Sequence, residues 1–463
     1  MRALPFLLLC FLGLLILTPY GFAADPISIS DSPLSGGEVT VFNKSREAFA
    51  KPAPNLPTKD LRRFTFGNKM FNTNWVTAPA SVVTLDGLGP VFNRVSCAAC
   101  HFKDGRGRPP RDDETTMNSM LMRLSIPGVD AHGGPNPHPI YGGQLNDRAI
   151  LGVPAEGRAR IEYKEQQGTY PDGTPYSLRT PHYIFEDMGF GELEKETMVS
   201  PRVAPAVFGL GLLEAMSEDD ILSRADPEDV DGDGISGRPN YVWDATTQKL
   251  ALGRFGWKAN VATLREQDAG AAQGDMGITT TLFPDQNCTD AQKDCHDAPD
   301  GGAPEMSDMQ LEKMTFYVST LAVPARRKVD DEVVKRGALM FVKNNCAACH
   351  SPQMKTGAHE IAALAGQDIQ PFSDMLLHDM GEGLADNRPD FLASGREWRT
   401  PPLWGIGLVK TVNRHTNFLH DGRARNLEEA ILWHGGEAEA SKNSFKAMGK
   451  NDRDALIVFL KSL

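Results

Sequence analysis

Apolar positions divide the chain into an export-like start and a body of short amphipathic pieces. Phe6 to Leu17 is an unbroken apolar run of twelve residues, preceded by Arg2 and followed by the small-x-small pattern Gly21-Phe22-Ala23. A spanning helix needs about 20 apolar residues. The run therefore predicts a cleaved secretory signal over residues 1–23 and no stable membrane anchor. Apolar and polar residues from Ala159 to Glu186, turning at Pro171-Asp172-Gly173, predict a β-hairpin. Helical patterning covers Ser307 to Leu321. Two further helix starts pair an N-cap with acids in the first turn, at Thr263-Leu264-Arg265-Glu266-Gln267 and Asn426-Leu427-Glu428-Glu429-Ala430.

Those two starts belong to a duplication. Cys97-Ala98-Ala99-Cys100-His101 recurs as Cys346-Ala347-Ala348-Cys349-His350, and Phe92 and Phe341 each lie five residues before the first cysteine. Arg202, Pro205, Phe208, Gly209, Gly211 and Leu212 are echoed, one residue shorter, by Arg399, Pro402, Trp404, Gly405, Gly407 and Leu408. The expected organisation is a signal at 1–23, a first unit at 24–325 enlarged by loops and a small β element, and a second unit at 326–463. The length of 463 residues is too much for one core, which agrees with this division. A net charge of -12 without a basic run excludes nucleic acid as a partner and suits a basic redox protein.

Two thiols and an imidazole on one turn supply both thioether bonds and an iron ligand for a c-type haem. A zinc site would need a second ligand pair at short spacing, and neither copy has one. Two covalently bound haems are therefore expected, on Cys97 and Cys100 with His101, and on Cys346 and Cys349 with His350. This makes the fold class mainly α, with two cytochrome c-like haem domains. Cys288 and Cys295 remain in a polar loop and are expected to form a structural disulfide, with a redox-active pair as the alternative.

The copies differ at the sixth iron position. His434 lies five residues after Glu429, whereas the same count from Glu266 reaches Ala271, which cannot bind iron. The second haem is thus expected to be closed by His434, with His378 and Met380 as rivals. The first keeps an open position, within reach of Met276, His132 and His138. An acidic loop, Asp229, Asp231 and Asp233 with Gly234, has the alternating carboxylates that wrap calcium. Asn240 stands where a bidentate glutamate would complete such a site, and a solvated acidic turn is the alternative.

Several longer strings resemble the di-haem oxidoreductase family of peroxidase-type proteins, sometimes labelled thiol oxidoreductases and distantly similar to bacterial di-haem cytochrome c peroxidases. They include Phe71 to Trp75, Asp86 to Phe92, Ser200 to Glu214, Asp231 to Asn240 and Gly253 to Lys258. Leu377 to Gly381, Trp398 to Trp404 and Phe418 to Arg423 extend the resemblance over nearly the whole chain. It implies a periplasmic oxidoreductase in which a small oxidant such as hydrogen peroxide binds at the first haem. The second haem would receive electrons from a redox partner protein. Glu266 matches the acid–base glutamate of those peroxidases, and Arg254 is a cation suited to stabilising developing negative charge. Trp398, Trp404 and Trp75 are candidate bridges for electrons. Here His434 stands where the peroxidases use methionine, a change that lowers the potential of the second haem. Their neighbouring glutamine has no evident counterpart, and their inter-haem calcium site does not map cleanly onto the acidic loop. An electron-transfer cytochrome with both irons six-coordinate, and an oxidase of a partner protein's side chains, are the competing functions.

Overall fold

The computed structural model describes residues 28–111 and 114–463, so the signal expected over residues 1–23 lies outside the described residues. Among the described residues no helix is long and apolar enough to cross a membrane. The expectation of a mainly α fold is corrected: 28% of residues are helical and 18% lie in strands, with several small antiparallel sheets. The reason is that several strands pair across long sequence gaps. Met120–Ser125 pairs with Met198–Val203, and Leu377–Asp379 with Glu397–Arg399, with no local turn to announce them.

Helices begin where side chains satisfy free backbone donors. Thr263 accepts from Glu266 N at 3.3 Å and opens Leu264–Met276; Asn426 accepts from Glu429 N at 2.8 Å and opens Leu427–Leu432. Ser307 and Gln310 form a reciprocal capping box at the start of Asp308–Ser319.

The duplication appears as a helix crossing made twice. In the first half Thr58–Asn72 packs on Asp308–Ser319, and in the second Glu332–Lys343 packs on Lys450–Ser462. A Cβ on Gly67 would lie 2.1 Å from the Lys313 carbonyl oxygen and 2.5 Å from Tyr317 Cβ. A Cβ on Gly337 would lie 2.1 Å from the Ala455 carbonyl oxygen and 2.6 Å from Phe459 Cβ. One turn later Phe71 stands 6.2 Å from the His101 ring and Phe341 6.3 Å from the His350 ring, centroid to centroid. The structural counterpart of Phe341 is therefore Phe71. Phe92, which the motif spacing suggested, lies instead in a two-residue strand paired with Arg148–Ala149.

The predicted hairpin is present as Arg158–Thr169 and Pro175–Glu186. It reaches across to the C-terminal half as a clasp. Tyr170 is buried among Phe341, Phe445 and Phe459, and its hydroxyl donates to Glu428 at 2.7 Å. Arg179 Nε donates to the Arg423 carbonyl at 2.8 Å, and Arg425 pairs with Glu165 at 2.9 Å.

Gly67→Ala and Gly337→Ala should each cost about 1–3 kcal/mol, because the new methyl meets backbone that cannot retreat. Gly449→Ser, whose Cβ would meet nothing within 4 Å, should change stability by less than about 0.5 kcal/mol. Denaturant unfolding of the three variants checks the contrast; equal stability for all three would remove the crossing from the argument.

Candidate active site

Both Cys-x-x-Cys-His segments open onto one continuous cavity of about 670 Å³. Cys97 and Cys100 lie on the short Cys97–Cys100 helix, and Cys346 starts the turn Cys346–Ala348. All four thiols are free, while Cys288 and Cys295 are paired elsewhere with a Cα–Cα distance of 5.7 Å. Burial pushes the Cys100 and Cys346 thiols up to about 12 and raises those of Cys97 and Cys349. These thiols stay protonated near neutrality. That is unlike a thioredoxin-type nucleophile, whose pKa must fall.

The motif histidines are held in one tautomer. His101 Nδ1 donates to the Pro205 carbonyl at 2.7 Å, and His350 Nδ1 donates to the Phe372 carbonyl at 2.9 Å. Each Nε2 is thereby left with its lone pair, the form an iron ligand requires. Burial lowers both imidazoles, His350 to about 4, so both are neutral at pH 7.

His434 follows the same pattern. Its Nδ1 donates to the Ala430 carbonyl at 2.8 Å, burial lowers its pKa, and it lines the cavity close enough to act electrostatically on His350. The rival His378 is committed elsewhere. Its Nε2 meets Asp374 at 2.8 Å and its Nδ1 meets Glu437 at 2.7 Å, so it stays charged with no free nitrogen. Met380 remains in the cavity wall.

On the side of the first motif the wall is the Leu264–Met276 helix. Gly270, Ala271 and Gly274 give it a small-residue face, and Met276 lines the cavity at its end. His132 instead stacks on Trp243 at the surface, 4.2 Å between centroids. His138 has Nε2 on Glu194 at 2.6 Å and Nδ1 accepting from Ile140 N at 3.1 Å. Neither histidine faces the cavity.

Glu266 does. Its Oε1 accepts from Ala245 N at 3.0 Å, while Oε2 is buried with no partner. Burial raises its pKa, and nearby Asp244 adds to the shift. The matching Glu429 is held by Arg425 at 2.7 Å. Arg254 lies off the cavity, its Nη1 donating to the carbonyls of Leu213 at 3.2 Å and Met216 at 2.9 Å. The cavity-facing arginines are others, among them Arg94, Arg123, Arg202 and Arg399. Sequence reasoning missed these, and also Asp268, a cavity residue whose carboxyl burial pushes up to about 7. Arg202 and Arg399 are marked only as a repeated pair, and no motif spacing marks the others.

Trp398 and Trp404 line the cavity, as does Trp257; Trp75 is buried elsewhere. Trp398 stacks on His420 at 3.8 Å between centroids and donates from Nε1 to the Leu384 carbonyl at 3.0 Å. In the acidic loop Asp229 and Asp231 converge with Asp226. Asp233 lies close enough to act electrostatically on all three, and its Oδ1 accepts from Ile235 N at 2.8 Å.

The donor set fits two haems. Neutral imidazoles of fixed tautomer stand beside paired thiols, aromatic walls flank both motifs, and unpartnered buried donors such as Arg94 Nη2 face the same space. A family model described as "Di-haem oxidoreductase, putative peroxidase" matches residues 29–463. No curated protein matches the chain.

Below His101, Asp104 is buried and accepts from the Tyr317 hydroxyl at 2.6 Å, and burial raises its pKa to about 7. A carboxyl raised on folding leaves stability intact below its unfolded pKa and loses it as pH climbs to the folded value. Wild-type stability should therefore fall between about pH 4 and pH 7 by an amount that Asp104→Asn removes. Denaturation midpoints of the two proteins across this range test it; parallel curves would refute it.

Proposed function

We propose, since the chain belongs to the di-haem oxidoreductase family, that it is a periplasmic c-type oxidoreductase of peroxidase type, with one site open to a small oxidant and one closed for electron transfer. The observation that carries this reading is the asymmetry between the copies: a tautomer-fixed His434 faces the second motif, and Ala271 and Gly274 occupy the matching helix in the first.

Cys97, Cys100 and His101 would hold the first haem, and Cys346, Cys349, His350 and His434 the second. Haem iron supplies a coordination position and one-electron chemistry. The carbonyls of Pro205, Phe372 and Ala430 orient the three imidazoles. Glu266 moves the proton. From the cavity wall its carboxyl would carry a proton from one oxygen of a hydroperoxide to the other, so that the O–O bond breaks with water as the leaving group, the electrons for that cleavage being supplied by the haems when bound. A raised pKa suits both halves of that transfer. Electrons would come from a basic donor protein attracted by the net charge of -12. Calcium at Asp226, Asp229 and Asp231 belongs to the same reading, supported by the convergence of their carboxylates.

Met276 in the cavity wall favours the competing reading, a purely electron-transferring cytochrome. Electron paramagnetic resonance of the purified protein decides between them. A high-spin signal that shifts on adding cyanide, beside a low-spin signal that does not, is expected; two low-spin signals indifferent to cyanide would sink the peroxidase reading. In the first case Glu266→Gln should slow peroxide reduction by about 10²–10⁴-fold with both haems retained.

Chelator-treated protein titrated with calcium in a calorimeter should bind one ion, and Asp229→Asn should abolish it. No heat in the wild type would return the loop to a solvated turn.

A further inference from the structure

Arg123 lies on the strand Met120–Ser125, whose residues alternate between core and cavity. Met120, Met122 and Leu124 are fully buried, while Leu121 and Arg123 line the cavity. On the paired strand Leu121 faces Arg202, and Arg123 faces Ser200. The charges around Arg123 are unequal. Arg202 meets Asp390 at 2.8 Å, Arg388 shares the same carboxylate at 3.2 Å, and Lys258 meets Asp386 at 2.9 Å. Asp275, the other carboxylate acting on Arg123, accepts from Gln144 Nε2 at 2.9 Å. The Arg123 side chain makes no hydrogen bond or ion pair with any described residue, though burial lowers its pKa.

A guanidinium carries five donors and remains charged at neutral pH. Arg123 is half-buried in the cavity wall, and although Asp275 and Asp390 act on it electrostatically, neither is hydrogen-bonded to it, so its donors are open toward the cavity. Arg123 therefore offers an unengaged planar fork to a negative charge supplied from the cavity. Asp275 also acts on Cys97, Cys100 and His101, which places Arg123 on the side of the first motif.

We propose that Arg123 is a carboxylate-binding residue of the cavity and that its charge raises the reduction potential of the first haem. This rests on the di-haem reading above. The carboxylate has two sources: a propionate of the haem, or a small free carboxylate that enters the cavity. A planar fork suits either one.

The test uses the holoprotein as wild type, Arg123→Gln and Arg123→Lys. Haem content is read from the pyridine haemochrome, and midpoint potentials are titrated in a sulfonate buffer with and without acetate. For a propionate, Arg123→Gln keeps two haems, and the reduced-to-oxidised ratio of one falls about tenfold at fixed potential, a shift of 59 mV for one electron. Arg123→Lys should recover most of that shift, and acetate should change nothing. For a free carboxylate, acetate shifts the wild-type potential and leaves Arg123→Gln unmoved. Haem loss from Arg123→Gln alone also supports the charge requirement. Potentials of Arg123→Gln equal to wild type with acetate inert in both, or haem loss from both variants alike, overturn the proposal. A wild-type chain without haem overturns the di-haem reading itself.

Discussion

Two helices can approach to backbone contact only where a side chain is missing, and this chain uses that contact twice. Gly67 and Gly337 each rest against a carbonyl of the partner helix. That closeness places Phe71 and Phe341, one turn later, beside the imidazoles of the two motifs. In the second half the chain of contacts continues. Phe341 packs edge-on against Phe372 at 5.9 Å, and the carbonyl of Phe372 fixes His350. The direction of the metal-ready nitrogen is thus set by a helix crossing several contacts away.

Much of the site was legible because its chemistry is local. A Cys-x-x-Cys-His segment needs only its own turn, and the caps Thr263 and Asn426 act within three residues. The hairpin announced itself at Asp172-Gly173, and Gly173 adopts the positive φ a tight turn needs. The errors came where position depends on distant chain. Phe92 had the right spacing but not the right helix, because the first copy carries extra residues between its helix and its motif. Arg254 sat near Glu266 in sequence, yet the end of the Leu210–Glu214 helix offers it carbonyls first. Arg123 reaches the cavity through strand pairing that no local pattern records.

The two copies also show how one scaffold reaches two electrostatic settings. Glu429 and Glu266 occupy corresponding helix positions. Arg425 neutralises the first, while the second keeps an oxygen without a partner. A salt bridge holds a carboxylate in place, whereas burial raises the pKa of Glu266. The same division separates the imidazoles: His378 is trapped between two carboxylates, and His434 is turned by a carbonyl toward the cavity.

The clasp has a meaning in time as well as in space. Tyr170 is made well before Glu428 and Phe445, its partners in the folded chain, since the hydrogen-bonded pair is 258 residues apart. Until those partners emerge, the hairpin end has no apolar surface to settle on, and the cavity has only one of its walls. Closure is therefore a late, long-range event of the kind that folds slowly. Before it, the four cavity-lining cysteines lie on two sides of a cleft that the hairpin has not yet bridged. The hairpin acts as the latch across that cleft.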